Sequence, residues 1–181
     1  FAADCFIFYP LKGFKKSYDY IFLASSNSDK RERYYSYLTS IFSKYKGLIN
    51  GPGWPFSRYI VDKIYHNYLY SLGKVGINLH IPASIETPCE LNERTYTLAS
   101  SGIPQLVDNA MLINKHFPPK SLFISNNPNE YYDMFNYILE NPKIAQEYAS
   151  RARTIVLNEH TIFHRIDNLI AWLLDLGIIE T

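Results

Sequence analysis

The sequence is poor in cysteine, in net charge and in long apolar runs. Of its 181 residues only Cys5 and Cys89 are cysteines, which excludes a disulfide framework and a zinc site with four cysteine ligands. Its 18 Lys and Arg residues nearly balance 17 Asp and Glu residues, and the formal net charge of +1 provides no global field that favours nucleic acid or anionic lipid. The longest strongly apolar tract, 169–179, contains Asp175 and is shorter than the ~20 residues that span a bilayer. These features predict a reduced, cytoplasmic protein without a transmembrane segment.

The composition predicts one folded domain. Hydrophobic residues make up 47% of the chain and aromatic residues 16%, which allows enough apolar burial to offset the loss of chain entropy. A length of 181 residues supports one core, so we expect residues 1–181 to form a single domain. The chain starts at Phe1 rather than Met and shows no signal peptide, and we expect it to be a fragment of a longer protein.

Short apolar runs and helical patterns alternate along the chain. Because the connections are short and several runs are apolar throughout, we predict a doubly wound, Rossmann-like α/β domain. Its parallel sheet has about five strands, with helices on both faces. The predicted strands are 18–24, 46–49, 74–80, 103–107 and 121–124, and the predicted helices are 30–45, 58–72, 92–101, 129–139, 142–157 and 161–176. Ligands of such sheets bind beyond the carboxyl ends of the strands, so the positions to inspect are 25–33, 51–54, 80–94 and 108–109.

Common cofactor and metal motifs are missing. Residues 51–56 supply only two of the three glycines of the dinucleotide fingerprint, and no Walker-type phosphate loop is present. His160 and His164 are four residues apart, but Thr161 occupies the position where a zinc-protease motif needs a Glu. Helix capping by Thr161 and packing of the two histidines is the better account of this motif. We therefore expect no metal site and no bound cofactor, and the sequence identifies no catalytic residue.

A first group of charged residues follows the first predicted strand. Lys30, Arg31 and Arg33 lie at the start of a helix, where free backbone N–H groups and the helix dipole favour an anion such as phosphate. The alternative is a solvated helix face in which these cations pair with Asp29 and Glu32.

A second polar group, Asn92-Glu93-Arg94-Thr95, stands at the start of the helix after the third strand. A guanidinium, a helix N-terminus and a hydroxyl converge there on one strand end, which suits a diphosphate. Capping of the helix by Asn92 and Thr95 is the alternative explanation for those two residues.

Several short motifs follow one another in an order that resembles one enzyme family, the GT-B glycosyltransferases of the group 1, spore-maturation-protein-like type. The likeness runs from about residue 18 to residue 172. It rests on Gly76-Ile77-Asn78-Leu79-His80, Asn92-x-Arg94-x-Tyr96, Ala99-Ser100-Ser101-Gly102-Ile103-Pro104 and Glu159-His160-Thr161-x-x-His164-Arg165, preceded by residues 22–26 with Arg31 and Leu38, and by Gly51-Pro52-Gly53-Trp54.

The resemblance implies the C-terminal, donor-binding half of a two-domain glycosyltransferase. Such an enzyme moves a sugar from a nucleotide diphosphate sugar, of the UDP or GDP type, to an acceptor. The active site would be the cleft formed with a missing N-terminal GT-B domain, so the isolated chain would be inactive.

The resemblance also implies roles for the residues at the strand ends. Asn92, Arg94 and Thr95 would approach the donor diphosphate, and Arg31 or Arg33 would reach it from the first loop.

A further set would contact the donor sugar or the nucleoside. The resemblance implies that many relatives hold the ribose hydroxyls with a Glu at the position of Thr97 or nearby in the same helix, and Glu93 or Glu90 would have to replace that carboxylate here. Trp54 would stack on the nucleobase or, alternatively, anchor its own loop. The assigned residues are Ser25, Trp54, His80, Glu93 and Thr97.

Two rival functions remain open. A noncatalytic interaction module with the same doubly wound fold would use the many tyrosines as a partner surface and would not respond to nucleotides. An epimerase or phosphatase would need an acid or a nucleophile at a strand end, where Asp108 is the one carboxylate expected.

Overall fold

The structure is a computed structural model that describes residues 1–55, 60–80 and 91–180. Its centre is a parallel sheet with the strand order β2-β1-β3-β4-β5. In the register of the sheet, Ile21 of β1 lies opposite Leu48 of β2 and Gly76 of β3. The strands are β1 (Tyr18–Leu23), β2 (Gly47–Asn50), β3 (Gly73–Asn78), β4 (Gln105–Asp108) and β5 (Phe123–Ser125). The predicted five-stranded, Rossmann-like fold is confirmed, with strand ends within two residues of the predicted ones.

Helices flank the sheet and connect its strands. They are α1 (Ser28–Phe42), α2 (His66–Ser71), α3 (Glu93–Ser101), α4 (Ile113–His116), α5 (Pro128–Glu140), α6 (Pro142–Glu159) and α7 (Ile162–Asp175), and a short 3₁₀ turn (Lys63–Tyr65) precedes α2. Local chemistry sets several of their ends: Asn127 accepts from the Glu130 N–H at the start of α5, and Gly102 ends α3 with a positive φ of 69°. The sequence did not predict the short helix α4.

The alternation of side chains along β1 divides the core between the two faces of the sheet. Phe22 packs with residues of α1 and α5, whereas Ile21 packs with Leu69 of α2 and Leu98 of α3. Because both faces of a strand are covered, most of its side chains are apolar, and the strands therefore appear in the sequence as nearly continuous apolar runs.

The segment before β3 differs from its prediction. A helix over 58–72 was predicted, but in the described part of this segment the α-helix covers only His66–Ser71, and residues 56–59 lie outside the described residues. Asp62 accepts a hydrogen bond from the Ile64 N–H and starts a separate 3₁₀ turn. Of the apolar and aromatic residues at helical spacing in this segment, Ile60, Ile64, Tyr65 and Tyr68 are exposed, and Leu69 is buried.

The last helix, α7, contains no buried residue although it is rich in apolar side chains. Its large exposed apolar residues are Ile162, Phe163, Ile166, Leu169, Ile170 and Trp172. Within the part of the chain that the structure describes, no helix has the length and apolarity required to cross a bilayer.

Candidate functional site

The switch point of the sheet lies between β1 and β3. From β1 the chain passes through α1 to β2 on one side, and it then crosses to β3 on the other side of β1. In open parallel sheets this arrangement leaves a crevice beyond the carboxyl ends of the two central strands. The loop that follows β1 and the N-terminus of α3 both approach this crevice, as their sequence positions predicted.

Two glycines allow the loops after β1 and β2 to touch. Gly51 and Gly53 have φ values of 147° and 86°, and a Cβ atom on them would lie 2.2 Å from the Ala24 carbonyl oxygen and 2.1 Å from that of Ser26. The Ser26 N–H donates to the Pro52 carbonyl at 2.7 Å across this contact. Glycine is therefore required here for conformation and for space, and the loop contact shapes one side of the crevice.

A cavity of about 440 Å³ opens at this end of the sheet. The end of β1, the loop after β2, residues 60–63, His66 and Arg94 form its walls. Asn50 holds the 60–63 wall, because its Oδ1 accepts from the Val61 N–H at 2.9 Å. The volume lies within the usual range of small-molecule pockets, roughly 300–1,000 Å³.

Arg94 is fixed across the two central strands. Its Nε donates to the Leu23 carbonyl at 2.9 Å and its Nη1 donates to Asn78 Oδ1 at 3.2 Å. The guanidinium carbon also lies 5.3 Å from the centre of the Phe22 ring. These contacts hold a permanent positive charge in the wall of the cavity at the switch point.

Arg33, by contrast, belongs to a buried ion pair. Its Nη2 donates to Asp108 Oδ2 at 2.6 Å and its Nε donates to the His80 carbonyl at 3.0 Å. The His80 N–H and its Nδ1 also bond to Asp108, the latter at 2.7 Å. Burial raises the pKa of Asp108, but hydrogen bonds from His80 and Arg33 outweigh it and hold the pKa below its usual range. This cluster ties α1 to the ends of β3 and β4, and none of the three residues lines the cavity.

Asn92 and Thr95 belong to a buried amide network whose centre, Asn78, the sequence did not identify. The Asn92 Oδ1 accepts from the N–H and the hydroxyl of Thr95, both at 3.0 Å, as the capping alternative predicted. Asn78 Oδ1 accepts from Asn92 at 2.8 Å and from Arg94, while its Nδ2 donates to Thr95 Oγ1 and to Gln105 Oε1, each at 2.9 Å. The sequence did contain a signal for this network, namely the amide side chains of Asn78 and Gln105 within otherwise apolar strands, because buried amides need hydrogen-bond partners.

Trp54 is 4% exposed and forms part of the core. Its Nε1 donates to the Ala24 carbonyl at 2.7 Å, and its ring lies nearly parallel to that of Tyr34 with centroids 6.2 Å apart. This arrangement is that of a loop anchor, the alternative to stacking on a nucleobase.

Ser25 and Arg31 lie around the loops after β1 and β2. Ser25 lines the cavity, and its hydroxyl accepts from Lys30 Nζ at 3.2 Å. Arg31 is exposed and its Nη2 reaches the Ser26 and Gly53 carbonyls at 3.4 and 3.3 Å. Arg31 therefore bridges the loops after β1 and β2.

The two positions considered for ribose binding differ in their access to the cavity. Thr97 is buried and does not line the cavity, whereas Glu93 forms an ion pair with Lys63 of the cavity wall. Glu90 lies outside the described residues.

The charged side chains that line the cavity are two cations, Lys63 and Arg94, and one carboxylate, Asp62, which leaves an excess of positive charge that favours an anion. The charges of Lys63 and Arg94, together with burial as the larger cause, lower the pKa of His66 in the same wall. His66 is therefore neutral at pH 7. Among residues 1–55, 60–80 and 91–180, no group of three or more His, Cys, Asp and Glu side chains is arranged to hold a metal ion.

Comparisons with known proteins agree with this architecture. A family model described as glycosyl transferase-like matches residues 31–171. Sucrose-phosphate synthase from Thermosynechococcus elongatus has a TM-score of 0.75 and 13% identity, over 97% of this chain and 52% of that chain. The comparison with curated protein sequences finds no match.

Two further solved structures are similar in fold. A TarM mutant from S. aureus in complex with fondaparinux, alpha-GlcNAc-glycerol and UDP has a TM-score of 0.65 and 12% identity, over 91% of this chain and 37% of that chain. An alpha1,3-fucosyltransferase with GDP-fucose has a TM-score of 0.54 and 18% identity, over 74% of this chain and 37% of that chain. The present chain thus spans about half of the synthase chain and little more than a third of the other two. Because the family model covers most of the sequence, the chain belongs to the glycosyl transferase-like family, and its fold is the Rossmann-like α/β fold of GT-B glycosyltransferases.

Proposed function

We propose that this chain is the donor-binding domain of a glycosyltransferase and that its cavity at the switch point binds a nucleotide diphosphate sugar. The observation that carries the proposal is Arg94, held by Leu23 and Asn78 in the wall of a 440 Å³ cavity. Two proteins of similar fold were solved with UDP and with GDP-fucose, which supports this class of ligand. The motif order favours the spore-maturation-protein-like branch of the family.

Within this proposal, Arg94 stabilises the leaving group. Sugar transfer releases a nucleoside diphosphate with growing negative charge, and a preorganised guanidinium stabilises that charge more in the transition state than in the ground state. Lys63 adds a second cation in the cavity wall, and in this proposal Glu93, which forms an ion pair with Lys63, contacts the ribose hydroxyls. Arg33 does not contact the ligand in this proposal but holds α1 against the ends of β3 and β4 through its bonds to Asp108 and His80.

The acceptor side of the active site belongs, in this proposal, to an N-terminal domain outside the present sequence. The chain spans 52% of the sucrose-phosphate synthase chain, which supports a second domain of similar size. Acceptor positioning and exclusion of water from the cleft would then depend on that domain.

A thermal-shift panel with UDP, GDP and ADP tests the proposal. A ligand that binds only the folded state stabilises it by RT ln(1 + [L]/Kd), roughly 2.7 kcal/mol at a hundredfold excess over Kd. We expect one nucleoside diphosphate to raise Tm clearly, and the responding nucleotide identifies the base. No shift with any of the three at millimolar concentration would contradict the donor-domain proposal and favour a noncatalytic interaction module.

A further inference from the structure

The motif at residues 159–165, which the proposed nucleotide site does not use, forms the junction between α6 and α7. The N-terminal segment of the chain crosses this junction. The Ala3 N–H donates to the His160 carbonyl at 2.9 Å and the Ile162 N–H donates to the Ala3 carbonyl at 3.0 Å. Ala3 is fully buried in the cluster that also contains Tyr96 and Val156. The junction therefore joins the start of the chain to its last helices.

Two stacked imidazoles lie under this junction. The rings of His160 and His116, at the C-terminal end of α4, are 18° from parallel with their centroids 4.9 Å apart. The Tyr96 hydroxyl lies 3.0 Å from His116 Nδ1. His160 is only 8% exposed, so water stabilises a charge on its ring poorly.

The contact with Arg165 determines which protonation state of His160 fits. Arg165 Nη2 lies 3.0 Å from His160 Nδ1, and because a guanidinium only donates, this nitrogen must be the acceptor of a neutral ring. The same guanidinium donates to the Phe1 and Glu159 carbonyls at 3.2 and 3.3 Å. A proton on Nδ1 would occupy the lone pair that Arg165 uses and would place two cations in contact.

The charged groups around His160 are mostly positive. Burial, followed by the charges of His116 and Arg165, lowers the pKa of His160 to about 4, and the His116 backbone and Glu159 counteract part of this shift. Burial and nearby cations also lower the pKa of His116. Toward the junction, the titratable groups of the surrounding elements include the Phe1 amino group and Asp4 in the N-terminal segment, Tyr96 of α3, Lys115 and His116 of α4, Glu159 of α6, and His164 and Arg165 of α7. Asp4 accepts from the Phe6 N–H and His164 bonds to Thr161.

We propose that His160 and its stacked partner His116 form a proton-sensitive latch, which holds the N-terminal segment and α7 on the domain at neutral pH and releases them in acid. Protonation of His160 breaks its bond with Arg165, and Arg165 is the side chain that joins the Phe1 carbonyl to α6. The hydrogen bonds of the junction involve no strand, although Ala3 shares its core cluster with Val107 of β4, so we expect the opening to begin at the junction.

The direction of the pH effect follows from the difference in the His160 pKa between the latched and the released form. The released His160 has the ordinary pKa of 6.5, and the latched His160 has a pKa of about 4, so the latched form is fully favoured above pH 6.5 and loses stability as the pH falls. Between pH 7 and pH 5 this one group increases the opening constant about 20-fold.

Hydrogen exchange at pH 7 and pH 5, corrected for the intrinsic rates, tests the latch on the full 181-residue chain. The Ala3 and Ile162 amides report the junction, and the amides of β1 and β4 serve as an internal reference. We expect about 20-fold faster opening at the junction at pH 5 and little change in the sheet. Equal acceleration of both regions, or no acceleration at the junction, would overturn the proposal.

Two variants separate His160 from its neighbour on α7. His160→Gln keeps an oxygen that accepts from Arg165 but cannot take up a proton, so the acid-induced opening should disappear. His164→Gln removes the other histidine of the motif and should open in acid like the parent. Acid opening that persists in His160→Gln, or that disappears in His164→Gln, contradicts the latch. If either variant does not fold, an NMR titration of the parent decides: a His160 pKa below 5 supports the latch, and an ordinary value refutes it.

Discussion

Exchange of Arg94 and of Arg33 for glutamine provides a matched test of the proposed site. Both arginines donate from Nε to a backbone carbonyl and from a terminal nitrogen to a side-chain oxygen, but only Arg94 lines the cavity. Arg94→Gln should weaken the binding of the responding nucleoside diphosphate by roughly 1.5–3 kcal/mol, the range for a hydrogen bond to a charged group. This corresponds to about a 10- to 150-fold increase in Kd.

Arg33→Gln should act on stability instead. It removes one partner of a buried carboxylate, and because His80 continues to donate to Asp108, we expect a loss of roughly 3 kcal/mol, the low end for a broken buried pair. For a chain of this size that lowers Tm by roughly 6–12 °C. Binding of the nucleotide should change by less than about threefold, since Arg33 does not reach the cavity.

Isothermal titration calorimetry at a temperature where both variants are folded, together with thermal unfolding, measures both quantities. Arg94→Gln will also lose some stability, because its bond to the Leu23 carbonyl is structural. The decisive comparison is therefore the affinity of one variant against the other. Unchanged affinity in Arg94→Gln, or a larger affinity loss in Arg33→Gln, would refute the assignment of the diphosphate to Arg94.

Four further outcomes are expected. Gly51→Ala should destabilise the fold by ~1–3 kcal/mol or more in chemical denaturation, because the φ of residue 51 is 147° and an added Cβ would lie 2.2 Å from the Ala24 carbonyl oxygen. Gly13→Ala is the control and should destabilise the fold less, because Gly13 also has a positive φ but open space around it. Asn78→Leu should reduce stability by roughly 3–5 kcal/mol in the same assay, since it removes the hydrogen bonds of Asn78 to Thr95, Gln105, Asn92 and Arg94 at the centre of a buried network. An anionic ligand raises the pKa of His66, so nucleotide affinity should increase from pH 7.5 to pH 5.5 and His66→Gln should abolish this dependence in calorimetry. With a radiolabelled donor the chain alone should transfer no sugar, and turnover should return when the N-terminal domain is supplied.

Local patterns in the sequence were sufficient for much of the fold. The order of strands and helices, the parallel sheet and the placement of candidate residues at strand ends all follow from apolar runs, helical spacing and turn residues, which act over a few residues along the chain. Such patterns cannot show how far a helix continues when a side chain begins a new turn, as Asp62 does before α2. They also cannot show what packs against the apolar face of α7, because the spacing of apolar residues identifies an amphipathic helix but not its partner.

The tertiary structure decided which polar side chains share the site. Arg33 and Asp108 are 75 residues apart in the sequence, and Arg94 lies 71 residues from the carbonyl of Leu23 that holds it. Two arginines that look alike in the sequence thus receive different roles, one in a buried ion pair and one in the cavity wall. The tertiary structure also decided that Trp54 lies in the core and anchors its loop. Its neighbours come from distant segments, and only their packing determines whether a ring is buried or open to a ligand.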